Sequence, residues 1–376
     1  MSLPIYSIGV LGSGQLGRMF AQEAIQLGYT VHVYSPDKNS PAGKVGAIEW
    51  VGAYLDFGKL QEFLKSIQAL TFEFENIPLA TLDYIEENFP LIHKNGCLRP
   101  NVRSIKIAQD RILEKEYFAS IGLTTVDYIP IIHGKEDISH FSMPAILKTT
   151  KLGYDGKGQW KFASHNDIRI FLEQNPPSFE NQYILESFFP YDYEISVIYA
   201  RNHLDQEFIF PPALNTHENS ILDTTEFPAQ IPEAIHNRAI QFASNLGRSL
   251  EYEGVMGIEF FVKGDELVVN EFAPRPHNSG HYTQNASDIS QFGLQLRILA
   301  GLNLPEKNNI KPCLMKNILG DNYEDALLVC FELLSKDSRY HLHLYQKDSA
   351  KNGRKMGHIN FVGNKNEVDP RFFHSI

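Results

Sequence analysis

Cysteine is scarce: Cys97, Cys313 and Cys330 are the only three in a chain of 376 residues. They are odd in number, far apart and form no C-x-x-C pair, which argues against a disulfide framework and a thiolate zinc site. A reducing cytoplasm is the expected compartment. No apolar run approaches the ~18 residues of a membrane-spanning helix. The opening stretch MSLPIYSIGVLGSG lacks a basic start and runs into a glycine loop, so no secretory leader is expected there. Positive charge is also short, with 34 Lys and Arg against 45 Asp and Glu and a net charge of −11. That balance disfavours a nucleic-acid partner, although a few local cations suffice for a phosphorylated small molecule. Internal repeats and low-complexity stretches are missing as well. What is present is an ordinary globular composition, 43% hydrophobic and 21% charged, at a length that suggests two or three domains.

The first hundred residues alternate between short apolar runs and amphipathic stretches. A strand is expected at 7–11, a helix from about 18 to 26 stopped by Gly28, and a strand at 30–34. A helix near 60–67, a strand at 69–74 and a helix after Pro78 follow. This alternation predicts an open parallel α/β sheet. A boundary falls around Arg99-Pro100-Asn101, before two helical segments, the second running from Asp110 to Gly122. Strands are then expected at 145–149, 182–185, 194–199 and 207–210, a polar helix near 232–251, and strands at 255–262 and 266–271. This block reads as mixed antiparallel α+β. From about 311 the tail reads as further short strands.

Three features carry chemistry. The first is Gly12-Ser13-Gly14-Gln15-Leu16-Gly17, a G-x-G-x-x-G loop after a strand and before a helix. Its backbone N–H groups and the helix N-terminus suit an anion. Asp37, about 20 residues on, stands where a dinucleotide fold places its ribose-binding acid, so both a dinucleotide and another anion fit. The second is 148–159, Lys-Thr-Thr-Lys-Leu-Gly-Tyr-Asp-Gly-Lys-Gly-Gln, whose glycines and lysines suit a flap closing over a polyphosphate. The third is a pair of acids on successive apolar strands, Glu259 in GVMGIEFF and Glu271 in VVNEFAPRPHNSGH, with Asn270 beside the latter. Two carboxylates and the phosphates of a nucleotide make an oxygen site suited to Mg²⁺. Arg275 and His277 follow on a proline-stiffened loop.

Together these segments resemble the ATP-grasp superfamily and, within it, the N5-carboxyaminoimidazole ribonucleotide synthetases, which use ATP and bicarbonate in purine biosynthesis. The resemblance rests on GSGQLGRM at 12–19, TFEFENIP at 71–78, GYDGKGQW at 153–160, NEFAPRPHNSGHYT at 270–283 and RKMGHIN at 354–360. It implies a Rossmann-like domain over 1–100, an ATP-grasp domain over 101–310 with a flap at about 110–185, and a small β-rich domain over 311–376. Arg111 and Lys148 would meet the nucleotide phosphates under the flap Gly153, Tyr154, Asp155, Gly156, Lys157, Gly158 and Gln159. Glu186, Ser187, Phe188 and Phe189 would form the adenine-reading hinge, with Glu194 on the ribose hydroxyls and His217 in the nucleotide site. Asn270 would join them, and Glu259 and Glu271 would hold Mg²⁺. The glycine loop, with Gly14, Gln15 and Leu16, would take the 5′-phosphate of aminoimidazole ribonucleotide, not NAD. Glu73, Asn76, Tyr154 and Asp155 would line its ribose or imidazole, and Lys347, Arg354 and Lys355 would bring positive charge. Arg275 would hold bicarbonate and the departing phosphate, and His277 and Asp155 would handle protons. A homodimer in the cytoplasm is also implied. Two positions depart from the pattern, Ser220 and Gln346, each where a glycine is expected.

The alternatives are a nicotinamide-dependent oxidoreductase built on the glycine loop and Asp37, a formate-using ATP-grasp transformylase or another carboxylase, and a non-enzymatic nucleotide sensor. The first leaves Glu259, Glu271 and the flap without a role. The RKMGHIN and TFEFENIP segments favour carboxylation over formyl transfer, and the sensor has no use for Arg275 and His277.

Overall fold

The computed structural model describes residues 5–93, 97–153, 156–178, 182–374 and 376. The alternation of the first hundred residues closes into a five-stranded parallel sheet. From edge to edge it runs Ile48–Val51, Thr30–Ser35, Ser7–Leu11, Ala69–Phe72, Cys97–Leu98. Its central strands are continuous apolar runs because helices cover both faces. Ile8, Val10, Val31 and Val33 pack with Met19 and Phe20 of helix Gln15–Gln26. Leu11, Leu70 and Phe72 pack with Leu60, Phe63, Leu82 and Ile85 of helices Phe57–Lys65 and Leu79–Ile92. Strand order reverses between Ser7–Leu11 and Ala69–Phe72. The loops leaving those two strands, from Gly12 and from Glu73, therefore border the crevice where open α/β sheets take ligands.

The middle and end of the chain share one large antiparallel sheet. Its order is Glu266–Ala273, Gly254–Lys263, Tyr193–Arg201, Ala213–Glu218, Ile221–Phe227, Cys313–Leu319, Lys355–Val362, Tyr340–Leu344, with Glu207–Ile209 paired to Tyr193–Arg201. Helix Glu233–Ser249 covers one face, setting Ala239, Ala243 and Leu246 against Tyr199, Met256 and Ile258. A separate four-stranded sheet, Tyr128–Ile131, Tyr183–Ser187, Ala145–Thr149, Gln159–Phe162, has its own small core of Ile131, Leu147, Ile168, Leu172 and Leu185. It stands over the large sheet as a lid.

The tail is not strands alone. Helix Tyr323–Lys336 lies within it, burying Ala326, Cys330 and Leu333. Glu324 and Asp325 in its first turn and Lys336 in its last suit the helix dipole. Exposed Leu328 and Phe331 on its outer face blur the helical period, which is why the run reads as strand. The pair Ala213–Glu218 and Ile221–Phe227 also has no counterpart among the expected strands, because polar Asn, Thr and Glu residues dilute its apolar alternation.

Candidate active site

Loops of the parallel sheet, the lid, the large sheet and the C-terminal strands enclose one cavity of 710 Å³. Glu259 and Glu271 lie opposite each other on adjacent antiparallel strands. One residue further the register slips, since Phe260 pairs with Val269 and Asn270 is left as an extra residue. Neighbours on a regular strand face opposite sides, and this bulge turns both Asn270 and Glu271 to the cavity. The two carboxylates differ electrostatically. Burial, with Glu271 adding its charge, pushes Glu259 up to about 7. Burial acts on Glu271 too, but Arg111 and Lys148 outweigh it and hold Glu271 below the usual carboxylate range. Arg111 reaches Glu271 at 3.0 Å.

Lys148 lies one residue before the end of the lid strand Ala145–Thr149, and its Nζ lies 2.6 Å from Glu186 on the neighbouring strand. Burial lowers the Lys148 pKa, with Glu186 opposing. Glu186 is buried as well, yet Lys148, Lys115 and Arg111 together hold it at about 2. Past the hinge, Phe261 stacks on Tyr191 at 4.6 Å, giving a flat aromatic shelf. Beside it Glu194 pairs with His217 at 2.7 Å. Burial works against the charged imidazole, but Glu194 and Glu259 raise its pKa above the ordinary value.

Arg275 spans between domains. Its Nε and Nη2 donate to the two oxygens of Glu75 at 2.7 and 3.3 Å, so one edge of its fork is already oriented. His277 follows with Nδ1 near Ser279 Oγ at 2.9 Å and accepting from the Ser279 N–H at 3.4 Å. That places its ring hydrogen on Nε2, on the side of Glu259, 3.7 Å away. Burial and Arg275 drive the His277 pKa down to about 3. The ring is thus held neutral, with Nε2 as its donor.

The glycine loop is partly satisfied from within. Gly14 and Leu16 donate their N–H groups to Glu73 at 2.6 and 3.2 Å, so a carboxylate from the neighbouring strand caps helix Gln15–Gln26. The Glu73 carboxyl presses so close to Gly14 that a Cβ there would collide with it. Gln15 accepts from Lys347 Nζ at 2.6 Å, tying the loop to the C-terminal strands.

Of the residues singled out from the sequence, Gly14, Gln15, Leu16, Glu73, Asn76, Arg111, Lys148, Gly153, Gly156, Lys157, Gly158, Gln159, Glu186, Ser187, Phe188, Phe189, Glu194, His217, Glu259, Asn270, Glu271, Arg275, His277, Lys347 and Lys355 line this one cavity. Arg354 does not line it: its guanidinium turns back to Ser349 at 3.0 Å. Tyr154 and Asp155 lie outside the described residues. Asp37 is exposed and takes no part in the cavity. The residues that sequence reasoning missed are Glu75, Tyr191 and Phe261 on the cavity wall and Glu114 and Lys115 behind it. Lys115 had one signal, its place four residues after Arg111 on a single helix face.

Three domain models match in succession: a ribonucleotide synthetase preATP-grasp domain over 5–109, an ATP-grasp domain over 116–292 and a phosphoribosylaminoimidazole carboxylase C-terminal domain over 313–368. The N5-carboxyaminoimidazole ribonucleotide synthase of Brucella melitensis is 36% identical, the match covering 95% of this chain and 96% of that one. The chain belongs to the N5-carboxyaminoimidazole ribonucleotide synthetase family. A solved ADP complex of such a synthetase matches with a TM-score of 0.88 and 38% identity, over 98% of this chain and 95% of that one. An Aspergillus clavatus synthase solved with ADP and 5-aminoimidazole ribonucleotide matches at 0.85 and 26%, over 96% and 95%. A bifunctional purine synthesis protein of Dictyostelium discoideum, 35% identical, is longer, and this chain spans 37% of it.

The family resemblance implies a divalent cation beside the nucleotide phosphates. Among the described residues no group of three or more His, Cys, Asp or Glu is arranged to hold a metal alone. The pair Glu259–Glu271 fits the need nonetheless. Two opposed carboxylates on the cavity wall, one raised to about 7 by burial and by the charge of the other, suit Mg²⁺ completed by nucleotide phosphates.

Proposed function

We propose that the enzyme carboxylates the exocyclic amine of 5-aminoimidazole ribonucleotide with bicarbonate, converting ATP to ADP and phosphate through carboxyphosphate. It is an ATP-dependent ligase forming a carbon–nitrogen bond. Support comes above all from one observation: cations of the lid, opposed acids of the large sheet and the crevice of the parallel sheet face a single cavity. Nucleotide and ribonucleotide then meet without crossing solvent.

Bicarbonate is a poor electrophile because its carbon is electron-rich and hydroxide leaves badly. In the first step a bicarbonate oxygen attacks the γ-phosphorus and ADP departs. Charge grows on the phosphoryl oxygens, so catalysis is chiefly positioning and electrostatic stabilisation. Lys148 and Arg111 supply fixed positive charge there, and the flap residues Gly153, Gly156, Lys157, Gly158 and Gln159 border it. Mg²⁺, held by Glu259 and Glu271, would neutralise phosphate charge. Arg275, oriented by Glu75 and by the Pro276 carbonyl at 3.3 Å, offers its remaining N–H groups to the planar acid, and His277 donates through Nε2. In the second step the amine nitrogen attacks the carboxyl carbon, the C–O bond to phosphate breaks and phosphate leaves, while His277 or Asp155 takes the amine proton. Carboxyphosphate is rapidly lost to water, so the flap must exclude solvent. On the ribonucleotide side, Glu73 and Asn76 face the sugar, while Lys347 and Lys355, with Gln15 and Leu16, face the 5′-phosphate. No helix of the described residues is long and apolar enough to cross a membrane; that the enzyme is a cytoplasmic homodimer is proposed from the family resemblance alone.

The deciding assay is phosphate release from ATP. It is expected only when bicarbonate and 5-aminoimidazole ribonucleotide are both present. Equal turnover with formate would move the enzyme to the transformylases, and tight NADH binding without turnover on any acid would restore the oxidoreductase reading.

A further inference from the structure

Behind the cavity wall lies a lysine to which the mechanism above gives no task. Lys115, on helix Arg111–Ser120, is 1% exposed and does not line the cavity. Its Nζ lies 3.2 Å from Glu186 Oε1 and donates to Thr125 Oγ1 at 3.0 Å. That hydroxyl donates in turn to the Val269 carbonyl at 3.0 Å, two residues before Glu271. The other oxygen of Glu186 faces Lys148 Nζ at 2.6 Å. One lid carboxylate is thus shared between a lysine that reaches the cavity and a lysine that does not. Stability gives no reason for this arrangement, since buried ion pairs are often replaceable by apolar groups of similar volume without loss.

We infer that Lys115 is a positioning residue: by sharing the charge of Glu186, it leaves the Lys148 ammonium available to the nucleotide phosphates. The inference rests on the reading of Lys148 as a phosphate contact. Without Lys115, Glu186 would turn more of its charge on Lys148, with only the more distant Arg111 to share it, and an arriving phosphate would compete against a stronger ion pair. With Lys115 on the second oxygen, Lys148 can shift toward phosphate while Glu186 stays neutralised. Because Lys115 is anchored through Thr125 to the strand carrying Glu271, the same contact sets the lid strand against the acids of the large sheet.

The test compares steady-state kinetics of Lys115→Met, Lys148→Met and the double variant Lys115→Met/Glu186→Gln in the full-length enzyme, at saturating bicarbonate and 5-aminoimidazole ribonucleotide. Lys115→Met should raise KM for ATP about tenfold with kcat within about threefold, and adding Glu186→Gln should bring that KM back down by at least about threefold relative to Lys115→Met alone. A general loosening of the fold would not be rescued by removing a second charged group. Unchanged KM in Lys115→Met, or no recovery in the double variant, overturns the inference while the reading of Lys148 stands. Unchanged KM in Lys148→Met removes that reading and the inference with it. Should Lys115→Met fail to fold, Thr125→Val removes the anchor and leaves both charges: a rise in KM for ATP of about threefold supports the inference, and no change overturns it.

Discussion

Glu271 meets Arg111 at 3.0 Å and lies opposite Glu259 on the next strand. Its side chain opens to the cavity, so replacing it leaves no void in a packed core. Glu271→Ala is therefore expected to lower turnover by at least ~10³-fold with the far-ultraviolet circular dichroism unchanged. Retained turnover would remove the metal assignment. Glu75 is different: it borders the cavity and holds Arg275, the group proposed to take bicarbonate, through two hydrogen bonds. With its bidentate contact gone, the guanidinium fork loses its fixed plane, and Glu75→Ala should raise KM for bicarbonate about tenfold while KM for ATP stays put. An unchanged bicarbonate KM would show that Arg275 is oriented by the chain around Pro276 alone. Nothing in the sequence marks Glu75 over its neighbours Glu73 and Asn76. Its partner lies 200 residues away, and such a pairing exists only once the crevice and the large sheet are brought together.

The turn joining strands Ala213–Glu218 and Ile221–Phe227 has two residues, Asn219 and Ser220, with φ of 50° and 65°. Two positive φ angles in a two-residue hairpin are the type I′ pattern, which Asn-Gly fits best. The glycine expected at 220 is thus expected for a backbone reason, and serine bears a left-handed strain of about 1 kcal/mol there. Ser220→Gly should raise the urea midpoint of unfolding by an amount worth about 0.5–1 kcal/mol, less what is lost with the 3.1 Å bond from Gln159 to the Ser220 hydroxyl. A lower midpoint would mean that bond outweighs the strain. Gln346, the other departure, also sits at positive φ, 55°. Elements with a strong local period are readable: the parallel strands Ser7–Leu11, Thr30–Ser35 and Ala69–Phe72, the long helix Glu233–Ser249 and the acid-bearing strand pair lie within a few residues of their expected places, whereas the short edge strands Ile48–Val51 and Cys97–Leu98 have no expected counterpart. The bulge at Asn270 is not readable, because no residue type announces an extra residue when the partner strand is unknown. Helix Tyr323–Lys336 was missed because Leu328 and Phe331 put apolar side chains on its outer face.

Across the whole molecule, the C-terminal strands meet the catalytic loop through histidines. The rings of His343 and His358 stack at 4.5 Å, and His281, four residues beyond His277, lies 4.8 Å from His358. Each has a neutral partner: Tyr345 for His358, Asn285 for His343 and Gln291 for His281. Burial drives His343 down to about 4 and the other two well below the ordinary value. The sign follows from proton uptake. Below ~6.5 the unfolded chain protonates these histidines while the folded chain does not, so their contribution is complete above ~6.5 and is lost as pH falls toward the folded pKa. His277, at about 3, acts in the same direction. Glu259 and Glu114, raised by burial to about 7 and about 8, oppose it. Glu186, at about 2, loses its contribution only below ~4.5. The absolute pH curve mixes these signs, and the informative quantity is a difference between two proteins. His343→Gln keeps a donor for Asn285 and removes one titrating ring. The stability margin of the parent over this variant, from urea unfolding, should narrow by about 2 kcal/mol between pH 7.5 and 5.0. A constant margin would mean that His343 is protonated in the folded protein as readily as in the unfolded chain, and that the seam between the C-terminal strands and the catalytic loop is wetter than its stacked rings imply.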